Sequence, residues 1–147
     1  MGLVIRDDPP KVIDMTGREW GPAIDGTALS IRTMPRDSAR DPAVLSVVIR
    51  NNGAAQKRFT VPGWMFFYHA EVTRQDGSAA PLTAYGKQVL KPERQTEKID
   101  VKLGPGDAQE TDLPVAALYE MREGGPFKVV VSCLLPDGTL RSNEIVV

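Results

Sequence analysis

The chain of 147 residues holds one cysteine and one histidine. A lone thiol, Cys133, excludes an intramolecular disulfide and a zinc site built from cysteines. A lone imidazole, His69, excludes the paired-histidine motifs of most metal hydrolases. Charge of one sign is also missing: 18 Lys and Arg stand against 19 Asp and Glu. No global field therefore draws the chain to nucleic acid or to an anionic membrane. Long apolar runs are absent too. The longest, 64–68 and 129–135 (interrupted by Ser132), fall far short of the roughly 20 residues that span a bilayer. Near the start, Leu3-Val4-Ile5 gives way to Arg6-Asp7-Asp8, too short an apolar stretch for a secretory leader. The expectation is a chain that neither inserts into membranes nor binds nucleic acid.

What is present suits a β-fold. The length fits one domain, and a hydrophobic content of 41% is enough for a core. Thirteen glycines and twelve prolines imply many turns and few long helices. Residues 1–26, rich in Pro, Gly and Asp, read as an extended arm with apolar islands at Leu3-Val4-Ile5 and Val12-Ile13.

From residue 27 the chain alternates strand and turn, with the period of two that marks half-buried strands. Thr27–Thr33 places Leu29 and Ile31 on one face. In 43–50, Leu45, Val47 and Ile49 point inward, with Val44, Ser46, Val48 and Arg50 outward, and Asn51-Asn52-Gly53 turns the chain. Short strands follow at 59–61, 96–103 and 109–113. A longer one spans 66–74, with Phe66, Tyr68, Ala70 and Val72 on one face, and a short edge piece lies near 82–85. The strongest strand is 127–135, with Phe127, Val129, Val131 and Cys133 together. After an Asp137-Gly138 turn, residues 142–147 form the last strand. The only helix expected is one short helical turn near 114–120, where proline sits early and its missing N–H costs little. Seven to nine short strands spaced in this way predict an all-β antiparallel sandwich of immunoglobulin or fibronectin-III type over residues 27–147. A closed barrel is the alternative.

Several motifs carry a resemblance: Arg50-Asn51-Asn52-Gly53, Leu103-Gly104-Pro105-Gly106-Asp107, Leu118-Tyr119, Gly125-Pro126-Phe127-Lys128-Val129 and Ser142-Asn143-Glu144-Ile145-Val146-Val147. Together they resemble bacterial immunoglobulin-like domains, including those of uncharacterised exported proteins. They are also similar to the N-terminal β-domain of deuterolysin-type metalloproteases. The resemblance implies a sandwich fold and a periplasmic or extracellular setting. It also implies that the chain could serve a protease as an accessory or inhibitory domain. Function does not follow from such a fold.

Candidate chemistry is sparse. His69 shares a strand face with Glu71, but a metal needs three or four donors and no third is identifiable. Cys133 continues an apolar face, which suits a buried structural thiol better than a nucleophile. The acids Asp7, Asp8, Asp107, Glu110 and Asp112 lack calcium-loop spacing and read as solvated surface. Lys98, Asp100 and Lys102 read as the solvated face of one strand. The segment 64–68 packs four aromatics into five positions. Alternation can bury only half of them, so either Trp64 or Phe67 reaches outward as an interface anchor, or Trp64 plugs the open end of the sandwich and the N-terminal arm covers Phe67. Three readings compete. The first is a non-catalytic binding or assembly module. It needs no cofactor and meets a protein partner or a second copy through Trp64, Met65, Phe67 and Tyr68, the apolar arm residues Leu3, Val4 and Ile5, or both. The second is the protease-linked domain. The third is a metal-binding or enzymatic protein centred on His69.

Overall fold

The computed structural model describes residues 13–38, 41–94 and 98–147. Within them lie nine strands and three short helices: β1 (Thr27–Thr33), β2 (Leu45–Asn51), β3 (Lys57–Val61), α1 (Trp64–Phe67), β4 (His69–Thr73), α2 (Ala84–Val89), β5 (Ile99–Leu103), β6 (Ala108–Leu113), α3 (Val115–Leu118), β7 (Lys128–Leu135), β8 (Gly138–Arg141) and β9 (Ile145–Val146). The protein is all-β and its strand pairs are antiparallel. They form three small sheets: β1-β2-β6, β3-β5, and β4-β7-β8 with β9 also paired to β7.

One hydrophobic cluster draws on all three sheets. The first sheet supplies Leu29, Ile31, Leu45, Val47, Ile49 and Leu113. The second supplies Phe59, Val61, Val101 and Leu103, and the third Val72, Val129, Val131, Cys133 and Leu140. Each set follows the alternation of its strand, so the inward register expected from the sequence holds for β1, β2, β5 and β7. On β5, Asp100 and Lys102 lie exposed on the opposite face.

Four expectations are corrected. Val48 and Ser46 do not face solvent: Val48 is 0% exposed and Ser46 is buried. The reason is that residues 14–21 lie across the outer face of the first sheet, so β2 is covered on both sides. The contacts are hydrogen bonds from the Ser30 hydroxyl to the Glu19 carbonyl (2.6 Å) and from the Gly21 N–H to the Leu29 carbonyl (3.0 Å). Arg50 on the same face is half-buried.

The strand drawn over 66–74 is instead one helical turn followed by the five residues of β4. Gly63, at φ 105°, redirects the chain after β3, a backbone angle that an L side chain resists. The turn brings the consecutive Phe67 and Tyr68 both inward, at 7% and 4% exposed, which a strand cannot do.

The helix near 114–120 is present as α3 and is not alone. The piece drawn near 82–85 has Leu82 bridged to Tyr119, and Ala84 opens α2. The Thr83 hydroxyl caps α2 by accepting from the Gly86 N–H (2.9 Å). Gly86 rests on α3 so closely that a β-carbon would lie 2.2 Å from the Leu118 carbonyl oxygen.

The last strand is two residues long, and the preceding hairpin supplies β8 as β7's second partner.

Burial on both faces of β2 gives a sharp expectation. Val47→Ala, Val48→Ala and Val131→Ala should each lower unfolding free energy in urea by about 1–3 kcal/mol. Lys102→Ala should stay within about 0.5 kcal/mol. A Val48→Ala effect as small as that of Lys102→Ala would place Val48 on an open surface.

Candidate functional site

The structure scatters most of the residues singled out by sequence. Phe67 and Tyr68 belong to the core. Trp64 and Met65 are half-buried and packed against it. Phe59, Trp64, Phe67 and Tyr68 form a chain of ring contacts, with Phe59–Phe67 and Trp64–Tyr68 stacked at centroid distances of 5.6 and 5.9 Å. Phe67 meets the edges of Trp64 and Tyr68 at 5.7 and 4.9 Å. Phe67 and Tyr68 therefore spend their surface on the interior, while Phe66 is half-buried and outside the cluster. Leu3, Val4 and Ile5, with Asp7 and Asp8, lie outside the described residues.

His69 is exposed on the outer face of the third sheet, across from Ser132. Glu71, its proposed companion, is engaged by Arg141 at 3.3 Å through both carboxylate oxygens. Cys133 is on the opposite face of the same sheet, so thiol and imidazole do not meet. Asp107 accepts the Gly104 N–H (2.8 Å) and closes the β5–β6 turn. Glu110 accepts from Ser46 and Arg18. No three His, Cys, Asp or Glu side chains converge among the described residues, and none of the described helices is long and apolar enough to cross a membrane.

The concave feature lies elsewhere, at the end of the molecule where β2 begins and β7 is entered. It is an open groove of about 880 Å³. One wall is the β1–β2 connection, with Arg36, Asp41 and Pro42. The other is the N-terminus of α2 with Tyr85, followed by Glu120, Met121 and Arg122. Phe127, Ala43 and Ala116 contribute apolar surface between them. Each wall is tied down by backbone bonds. The Ala116 N–H donates to the Ala43 carbonyl (3.2 Å), and the Glu120 N–H to the Pro81 carbonyl (2.8 Å). Phe127 and Val147 exchange bonds at 2.9 and 2.8 Å. Because Thr83 and Gly86 lock α2 onto α3, Tyr85 is held at the rim and remains 56% exposed.

The charges at the rim are partnered within it. The Arg122 guanidinium donates to both Glu120 oxygens, Nε at 2.8 Å and Nη2 at 3.3 Å, and holds the Glu120 carboxyl below its usual range. Arg36 donates to the Asp41 carbonyl at 3.0 Å. A smaller depression under Met34, Val44 and Asp112 shares Arg36, Asp41 and Pro42. Another, beside Arg74 and Glu123, shares Glu120 and Arg122. Sequence reading missed the groove because its walls come from five separate segments. The local sign of α2, a threonine cap before Ala84-Tyr85, is weakened by a glycine in the helix interior.

No protein-family model matches the chain, and no curated protein matches it.

The buried thiol sets a testable chemistry. Burial pushes Cys133 up to about 12. Burial, with Cys133 nearby, also raises the Tyr68 hydroxyl well above its ordinary range. Both groups stay neutral in the folded chain and ionise earlier when unfolded. Their contribution to stability is whole below the thiol's ordinary value of 9.0 and declines as pH rises toward 12. Urea unfolding between pH 7 and 10.5 should show that decline, and Cys133→Ala should flatten its first part. At pH 8 a thiol reagent should label Cys133 only as fast as the protein opens. Labelling of the native protein at the rate of a free thiol would contradict a buried, protonated Cys133.

Proposed function

We propose that the protein is a non-catalytic, immunoglobulin-like β-sandwich module that acts by protein contact, with the groove beneath Tyr85 as its binding surface. The antiparallel first and third sheets, which share one hydrophobic cluster, support the sandwich reading. The kinship with exported bacterial immunoglobulin-like domains rests on the sequence motifs.

The observation that carries the functional reading is Tyr85. A large aromatic, more than half exposed, stands on a short helix that is itself immobilised by its cap and by Gly86. Holding an anchor rigidly before binding lowers the ordering cost of association. Tyrosine offers a large apolar face with a polar tip, a combination enriched among interface anchors. Met121 beside it is unbranched and adapts to irregular partners. A volume of about 880 Å³ takes an apolar side chain and the residues next to it. The Glu120–Arg122 pair at the rim adds selectivity for orientation more than affinity. Trp64, packed against the core, acts in this reading on stability.

Peptides selected from a displayed library against the intact protein test the reading. They should lose about tenfold or more in affinity for Tyr85→Ala, in line with a central aromatic anchor. They should bind Leu134→Ala, which removes an exposed side chain near the other end of β7, within about twofold of wild type. Selected peptides indifferent to Tyr85→Ala would remove the groove from the account.

A further inference from the structure

A second hollow, of about 360 Å³, shares Arg36, Asp41 and Pro42 with the groove beneath Tyr85 and so adjoins it at the β1–β2 connection. The rest of its lining is of two kinds. Met34, Pro35 and Val44 supply apolar surface, and Asp37 and Asp112 supply carboxylates. The connection is braced from within. The Met34 N–H donates to the Val44 carbonyl (2.8 Å), the Asp41 N–H to the Ser38 carbonyl (3.1 Å), and the Ser38 N–H to Asp41 Oδ2 (3.2 Å). Asp112 is brought in by β6, where it stands opposite Ser46. This hollow lacks counter-charge. Asp37 and Asp112 are exposed, and neither carboxylate has an ion pair or hydrogen bond among the described residues. Asp41 spends its oxygen on an N–H and not on a cation. Arg36, the one base of the lining, donates to the Asp41 carbonyl (3.0 Å) and pairs with no carboxylate. Three acids against one base make the hollow acidic. The groove itself is balanced, with Asp41 and Glu120 against Arg36 and Arg122. The hollow that shares Glu120 and Arg122 with it is balanced too, by Arg74 against Glu123.

We propose that the groove's partner is an extended segment with a lysine or arginine a few positions from its apolar anchor, and that this basic side chain enters the acidic hollow. The inference rests on the groove being the binding surface. A long basic side chain has an apolar stem and a charged head. The stem lies along Met34, Pro42 and Val44, and the head reaches Asp37, Asp41 and Asp112. An acidic side chain there would meet three carboxylates, and an apolar one would strip them of water without a partner. Because the excess charge lies at one end of the groove only, it also sets the direction in which the segment runs.

Peptides selected on the intact protein from a displayed library of unbiased sequence read this preference. Those that depend on Tyr85 should carry Lys or Arg at one fixed spacing from the apolar anchor. A synthetic copy of such a peptide then serves as the probe. The double variant Asp37→Asn, Asp112→Asn keeps the fold, since both side chains are exposed and unbonded. It should weaken the peptide about fivefold at low salt, chiefly through slower association, as exposed charge pairs do. Replacing the basic residue of the peptide by glutamine should cost the same, and the two changes together no more than either alone. In about 1 M salt the loss should vanish. Peptides that need Tyr85, yet show no fixed basic position and no response to the aspartate pair, would overturn this inference and leave the groove in place. Peptides indifferent to Tyr85→Ala would overturn both.

Discussion

Asn51 is the residue on which the arrangement of the sheets depends. It closes β2 and is 0% exposed, yet none of its polar groups is left over. Its side-chain amide donates to the Ala55 carbonyl (2.8 Å) and the Leu103 carbonyl (2.9 Å), and its side-chain oxygen accepts the Gly53 N–H (2.9 Å). Its backbone N–H donates to the Asp107 carbonyl (2.9 Å), and its own carbonyl accepts from the Gly106 N–H (2.6 Å). One side chain therefore supplies the hydrogen bonds that a strand would supply if the first sheet ran on into the second. Asn143 does the same toward the third sheet. Its oxygen accepts the Ile31 N–H (2.8 Å) and its amide donates to the Ile31 carbonyl (3.0 Å), satisfying both main-chain groups of one β1 residue. Three sheets of two to four strands are individually marginal. Amide staples across their gaps let them share one core without leaving buried backbone unpaired.

This scheme gives physical content to two motifs that carried the sequence resemblance. Arg50-Asn51-Asn52-Gly53 and Ser142-Asn143 each contribute one staple, Asn51 and Asn143. Ser142 adds a bond from the Val131 N–H to its hydroxyl (2.9 Å). Sequence reading took Asn51 for a turn residue because asparagine favours turns. The turn is indeed beside it. Its burial depends on Leu103, 52 residues away, which no local pattern reveals.

The same distinction explains what was legible. Strands with one wet face declared themselves by alternation: 127–135 is β7 from Lys128 on, and 96–103 is β5 from Ile99 on, with 96–97 outside the described residues; the buried Cys133 and the exposed His69 were legible too. Val48 and Ser46 were not, because residues 14–21 cover them, and one of the contacts is made by Arg18, a residue whose type predicts solvent. Residues 66–68 were misread as the start of the strand 66–74 because period two was carried back into the helical turn that follows Gly63. The groove was invisible for a related reason, since Tyr85 owes its exposure to the contact of Gly86 with Leu118. Tertiary contacts made by polar residues and glycines therefore account for most of the differences.

The central claim is that the side-chain amides of buried Asn51 and half-buried Asn143, and not extended strand pairing, join these sheets into one unit. Equilibrium unfolding of Asn51→Ala beside Asn52→Ala tests it most directly. Asn51→Ala strands the buried Leu103 carbonyl and removes the partner of the part-buried Ala55 carbonyl and Gly53 N–H, and should lower stability by about 1–3 kcal/mol, the cost of a buried polar group left unpaired. Asn52, next in sequence and exposed, should change it by less than about 0.5 kcal/mol. Losses of similar size at both positions would show that the sheets hold together without the staple.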